Sequence, residues 1–275
     1  MKSKNFVLTM LLFVVVFTAC KQPKKEETKE TTEEELKVEE TVETETTKIT
    51  IEKLEGSPAY ADAKLLMKTP ETTKMTEVGE VDFGFTVENY NLGEQTTGPN
   101  ATLLANSGKG QHIHFILNNQ PYSAHYTPEF KKEIPEGVHH LVAFLSRSYH
   151  ESVKNDSSVV VKKLEVGASP VDSLGLNMEA PTLIYSRPKG TYKGDDTKNL
   201  LLDFFVLNTT LSETGNKVKA TINDEEFTLT EWTPYVVKGL PLGEVTVQLE
   251  LIDENGDLIP GPFNTVKRTV TLAAE

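Results

Sequence analysis

What most constrains this chain is that its larger, C-terminal portion repeats itself. Tyr126-Thr127-Pro128 through Ile134-Pro135-Glu136-Gly137 aligns without a gap on Trp232-Thr233-Pro234 through Leu240-Pro241-Leu242-Gly243. Working outward, Phe83, Phe85, Val87 and Asn89 fall on Leu202, Phe204, Val206 and Asn208. The run His112 through Asn118 falls on Lys217 through Asn223, and Leu65 through Pro70 falls on Leu183 through Pro188. A unit used twice must close its own core in each copy of about 90–110 residues.

Within each copy the apolar residues alternate. Phe83/Phe85/Val87, Ile113/Phe115/Leu117, Leu202/Phe204/Val206 and Val245/Val247/Leu249/Leu251 have period two, which marks half-buried strands. No sustained helical period follows residue 50. Short strands broken by Gly, Pro and Asn predict an all-β chain of two tandem immunoglobulin- or fibronectin-like β-sandwiches. Tandem barrels or one larger jelly roll are the alternatives.

The N-terminal segment differs in kind. Lys2 and Lys4 precede the largely apolar run Phe6–Phe17, then Thr18-Ala19-Cys20. That is the order of an export signal, and the run is too short to span a bilayer, which needs about 20 residues. Cys20, the sole cysteine, directly follows small residues and so resembles the lipobox of bacterial lipoproteins. The resemblance implies lipidation at Cys20 and a membrane anchor. With that thiol used, no disulfide, thiol nucleophile or Cys-ligated zinc is available. Lys21–Thr50 holds six lysines, ten glutamates and no aromatic residue, which predicts a disordered, extended acidic tether. Lys25-Glu26-Glu27 looks like the acidic signal that sends some lipoproteins to the cell surface. The plan is thus a signal peptide over 1–19, lipidated Cys20 and tether over 20–55, a first sandwich over 56–168, a linker over 169–180 and a second sandwich over 181–275. The expected location is the outer membrane, facing the periplasm or the cell surface. A net charge of −13 argues against nucleic acid as a partner.

The second copy serves as an internal control for function. All six histidines lie between His112 and His150. His112 and His114 become Lys217 and Lys219, His125 becomes Glu231, and His139 and His140 become Val245 and Thr246. The fold therefore does not require them. Alternation turns Ile113, Phe115 and Leu117 to the core, so His112, His114 and Ile116 point outward together with His140, Val142 and Phe144 from a neighbouring strand. His139 faces inward as a hydrogen-bonded core histidine.

Three readings of the outward face stay open. It can be covered from within the chain, by the insertion Leu92–Gly110 with its Leu103-Leu104 or by the second sandwich. It can be a ligand platform that uses His112, His114, His140 and the loop residues Arg147, Tyr149 and His150, where Arg and Tyr suit a protein, glycan or small anionic ligand. Or His112, His114, His140 and His150 can hold a metal; imidazole without thiolate favours zinc, copper or nickel.

Gly110-Gln111-His112-Ile113-His114-Phe115, Ala124 through Phe130, Ala143 through Ser152 and Tyr185 through Gly190 resemble a family of uncharacterised Bacteroidota lipoproteins often labelled phosphopeptide-binding proteins. The resemblance covers essentially all of the mature chain and implies an envelope lipoprotein. No nucleophile elbow, phosphate loop or dinucleotide fingerprint is present. The expectation is a non-enzymatic envelope protein that binds a ligand or partner through the first sandwich. A metal-binding lipoprotein is the alternative, and a structural spacer or adhesion module comes after it.

Overall fold

A computed structural model of the protein describes residues 48–275. Cys20, the export signal and most of the acidic stretch lie outside the described residues. Among those described, no helix is long and apolar enough to cross a membrane.

Among the described residues seventeen strands follow one another. They are β1 (Thr50–Lys53), β2 (Lys64–Thr69), β3 (Lys74–Met75), β4 (Gly79–Glu88), β5 (His112–Leu117), β6 (Ser123–His125), β7 (Glu129–Ile134), β8 (Gly137–Ser146) and β9 (Val159–Val166). The second set is β10 (Thr182–Arg187), β11 (Thr191–Lys193), β12 (Leu200–Leu207), β13 (Lys217–Ile222), β14 (Glu225–Leu229), β15 (Tyr235–Lys238), β16 (Gly243–Ile252) and β17 (Thr265–Ala273). The sheets have orders β2-β4-β7 and β3-β9-β8-β5-β6, then β10-β12-β15 with β1 added at its edge, and β11-β17-β16-β13-β14. The same sandwich is thus built twice, with its antiparallel ladders in matching places. Even small fittings recur. Asn118 Oδ1 accepts from the His140 amide at 2.8 Å, and Asn223 Oδ1 accepts from the Thr246 amide at 2.9 Å. Both asparagines are left-handed, as is the residue after each, which suits tight hairpins.

Each sandwich buries the residues that alternation selects. Phe83, Ile113, Phe115, Leu141 and Leu145 lie in the first core, and Phe204, Val218, Val245, Val247 and Leu249 in the second. Two strands go further. Nearly all of β8 and β12 is buried on both faces, the mark of a strand inside a larger body. The outer face of β5 and β8 packs on the outer face of β10 and β12. There Ile116, Tyr122, Val142 and Phe144 meet Ile184, Phe205 and Phe263. The second sandwich thus covers this face, which is no open platform.

A buried ion pair pins this seam. Asp203 on β12 is fully buried, and Lys154 of the first sandwich reaches it at 2.9 Å. Lys154 also donates to the Phe204 carbonyl at 2.8 Å and stands 5.0 Å from the Trp232 ring centre. Ser152 gives Asp203 two more hydrogen bonds.

Two expectations need correction. The stretch 20–55 is not tether to its end, because Lys48 onward is ordered. β1 pairs antiparallel with β15, Ile49 is buried in the second core, and left-handed Gly239 lies so close to the Lys48 carbonyl that a Cβ there would collide. Ile49, Ile51 and Leu54 already break the polar run in a strand-like rhythm. The insertion 92–110 also does not lie on the histidine face. It forms a short helix, Asn100–Leu103, and sends Leu104 against Leu54, Tyr149, Leu201 and Val236.

Lys154→Met is expected to lower folding stability by about 3–5 kcal/mol, because it leaves the buried Asp203 carboxylate without its cation. Adding Asp203→Leu should recover most of the loss. Chemical denaturation of the single and double variants measures both; a single variant within about 1 kcal/mol of the parent would show that the pair does not hold the seam.

Candidate metal centre

The antiparallel register of β5 and β8 sets which histidines meet. His112 lies opposite Ser146 and His114 opposite Phe144, so the β8 end near them leads into the turn carrying His150. That turn is closed by Arg147 N–H to the Glu151 carbonyl at 2.8 Å and His150 N–H to the Arg147 carbonyl at 2.9 Å. His150 is held left-handed at φ 70°, a conformation that costs a non-glycine residue about 1–3 kcal/mol and collects at functional positions. The bend aims its ring back at the strand.

Three ring nitrogens converge there. His112 Nε2 is 2.9 Å from His114 Nε2 and 3.2 Å from His150 Nδ1. In a tetrahedral site with metal–nitrogen bonds of about 2.0–2.1 Å, neighbouring nitrogens stand about 3.3 Å apart. The three form a group that could hold a metal ion, with donor atoms all within 4.8 Å of one another. His112 Nδ1 is 2.8 Å from the Gly110 carbonyl, to which only an N–H can donate. In the neutral ring that fixes the tautomer and leaves the Nε2 lone pair facing the cluster. Gly110 is left-handed and tight against the Gly93 carbonyl, with no room for a side chain, so the carbonyl that orients His112 is itself fixed. From the second sandwich, Ser186 Oγ comes within 3.4 Å of His114 Nδ1.

Burial keeps the cluster uncharged. It pushes His112 down to about 4, and His114 and His150 are also held well below the usual imidazole range by burial first and neighbouring charged groups second. Neutral imidazole is the form that binds metal. Arg187 and Lys189 of the second sandwich lie nearby, with Lys189 Nζ 4.1 Å from the Tyr122 ring centre. Tyr122 itself stacks on His114 at 3.5 Å between ring centres.

The remaining site candidates are placed elsewhere. His140 is not a fourth member. It stands on β8 beyond Leu141, the partner of Leu117, so it lies four residues, or about 13 Å, from the residue opposite His114. A side-by-side reading of the two strands ignores this antiparallel offset. His140 instead packs on Phe263, 5.5 Å away, and its Nδ1 is buried without a hydrogen-bond partner. Arg147 and Tyr149 do not form an open recognition loop either. Arg147 is buried, pairs with Glu151 at 2.9 Å, and donates to the Pro58 and Ser152 carbonyls. Tyr149 donates to Ser57 Oγ at 2.9 Å. Both are used to fasten the segment around Ser57–Tyr60. His139 lies inside, bonded to Asn118 and to the Pro135 carbonyl. Tyr122 is the residue that sequence reasoning misses; its only sequence signal is its position in the hairpin beside the His-x-His strand.

No family model and no curated protein matches the chain. Several solved structures are similar at a distance. The fibronectin(III)-like modules of Clostridium thermocellum CbhA are 12% identical over 76% of this chain and 94% of theirs, with a TM-score of 0.27. The tandem V-type regions of a v-region-containing chitin binding protein are 8% identical over 77% and 100%, at 0.22. A Bacteroides ovatus mixed-linkage glucan utilization locus protein, SGBP-B, is 13% identical over 80% of this chain and 47% of its own, at 0.22.

The neutral buried histidines give the fold a definite pH dependence. Burial pushes His140 down to about 4, whereas an unfolded histidine titrates near 6.5. Between those values the unfolded chain binds more protons, so stability falls as pH falls. His140→Leu is expected to flatten that slope by about 1.4 kcal/mol per pH unit. Denaturation at several pH values from about 7.5 down to about 4.5 reads it directly; an unaltered slope would mean that His140 is not held neutral.

Proposed function

We propose that this chain is a non-enzymatic cell-envelope lipoprotein, anchored through Cys20, whose paired sandwiches hold one transition-metal ion, zinc or copper, on His112, His114 and His150. The convergence of three buried ring nitrogens, with His112 Nε2 2.9 Å from His114 and 3.2 Å from His150, carries this reading. Three further observations support it. The second copy folds the same way with lysines at two of these places. His150 adopts a costly backbone conformation that directs it into the cluster. Gly110 orients His112 in the manner of an outer-shell partner.

Enclosure favours a bound structural or carried ion over a catalytic one. His112 and His114 are both 0% exposed, whereas catalytic ions keep a position open to substrate. The imidazole set favours zinc, copper or nickel over calcium or magnesium. The sandwich face that would have made a platform for a macromolecule is spent on the seam, so partners of the envelope protein would meet other surfaces.

Calorimetric titration of the untagged chain with zinc and with copper tests the reading. One ion per chain is expected, lost in the His112→Ala/His114→Ala variant and also in His150→Ala, whose partly exposed position spares the fold. Binding no tighter than that of a single exposed imidazole, or binding that survives His150→Ala unchanged, would leave the histidines as seam packing and the protein as a structural spacer.

A further inference from the structure

Positive charge collects without a partner at one point of this acidic chain. A cavity of about 260 Å³ opens where the tip of the β5–β6 hairpin meets the second sandwich. Pro121 lines it from the first sandwich, and Tyr185, Pro188, Lys189 and Arg268 line it from the second. Apart from the two cations, the lining is mostly apolar. Neither cation has a carboxylate within ion-pair distance among the described residues. Arg187, next to Pro188 in sequence, is also without an ion pair there; it is 6% exposed, and its Nε has no hydrogen-bond partner. Asp203, opposite Arg187 on β12, is already held by Lys154. Burial first, then the charges of Arg187 and Lys132, hold the Lys189 ammonium below its ordinary range. Like charges gathered in a half-buried place repel one another, and an anion among them relieves that cost. The first sandwich shows that the fold does not ask for them. Continuing the internal alignment, Thr69, Glu71 and Lys162 stand where the second copy has Arg187, Lys189 and Arg268.

We propose that this cavity binds a small organic carboxylate, with Lys189 Nζ as its ionic anchor and Arg268 as the second cation. The supply of donors selects the class of anion. Arg268 gives its two terminal nitrogens to the carbonyls of Lys267, at 3.2 Å, and Asn119, so its fork is not free to clasp a phosphate. Lys189 Nζ donates one proton to the Tyr122 carbonyl at 2.6 Å and keeps two. Two strong donors match the two oxygens of a carboxylate and fall short of the three or four of a phosphate or sulfate. The prolines then face the uncharged body of the ligand. Sites for drug-sized molecules measure about 300–1,000 Å³, so this smaller one suits a single ring or a short chain. The Arg268 guanidinium is held in place, 5.6 Å from the Tyr185 ring centre and tied to the hairpin carbonyl of Asn119. None of His112, His114 and His150 lines the cavity, and the proposal stands apart from the metal reading.

Benzoate is the probe, titrated into the full chain by calorimetry, with benzamide as its uncharged match and inorganic phosphate as the rival anion. One benzoate per chain is expected, with benzamide and phosphate each weaker by about tenfold or more. Lys189→Met should weaken benzoate by a similar factor, and His150→Ala should leave it unchanged. No benzoate binding up to about 10 mM overturns the proposal. Benzamide binding as well as benzoate would reduce the cavity to an apolar slot, and phosphate binding more tightly would refute the carboxylate class. A Lys189→Met variant that keeps its affinity moves the anion elsewhere, and loss in His150→Ala places the benzoate on the histidine cluster; either result overturns the assignment. Should Lys189→Met fail to fold, the contrast of benzoate with benzamide and phosphate on the parent decides.

Discussion

The structure depends on one buried charge. Asp203 sits in the middle of β12 with no exposed surface, and a carboxylate there is tolerable only with a cation and hydrogen bonds around it. Lys154, Ser152 and the surrounding aromatic rings all come together at that point, and the two donor residues belong to the other sandwich. Neither half can therefore hold its seam strand in water unchanged. The apolar contacts of Ile116, Val142 and Phe144 with Ile184 and Phe205 supply the bulk of the attraction, but they are tolerant of sliding. The ion pair is directional and fixes the register.

The histidine cluster follows from that register. β5 and β8 present their outer face to the second sandwich, and at one end of the face the packing changes from aliphatic to imidazole. His114 meets Ser186 across the seam, and Tyr122 is caught between His114 and Lys189. The same face of the second copy carries Lys217, Lys219 and Thr221, partly exposed, with Lys219 paired to Glu250 at 2.8 Å. One sandwich design thus yields a solvated face in one copy and a dry polar site in the other. The difference lies in what covers it.

Much of this is legible in the sequence, and the failures have physical causes. The gapless match of Tyr126–Gly137 with Trp232–Gly243, and the alternation of Phe83/Phe85 and Val245/Val247, define the repeated two-sheet unit because both are local properties of strands. The outward set His112, His114, Ile116, Val142 and Phe144 is also readable, since side-chain direction follows from period two. His140 goes astray because antiparallel register depends on where the hairpin turns, and that offset is invisible in a face-by-face count. Arg147 and Tyr149 are misjudged because their partners, Pro58 and Ser57, lie about ninety residues upstream. A polar residue at a strand end looks alike whether it meets water or a distant carbonyl. Tyr122 escapes notice for the same reason: its role is defined by residues of three separate segments.

The strand β1 gives the molecule a mechanical grain. It leaves the acidic stretch, lies along β15 of the second sandwich, and then continues into β2 of the first. Tension arriving from the N-terminal side consequently reaches the distal sandwich first, although that sandwich comes last in the chain. Pulled lengthwise, the four paired residues share the load, with buried Ile49 as a peg at the entry; pulled sideways, the pairs would open in succession like a zip. The point where the N-terminal segment joins the fold is thereby set on the second sandwich, and the linkage between the sandwiches is relieved of the strain that a simple bead-on-a-string order would place on it.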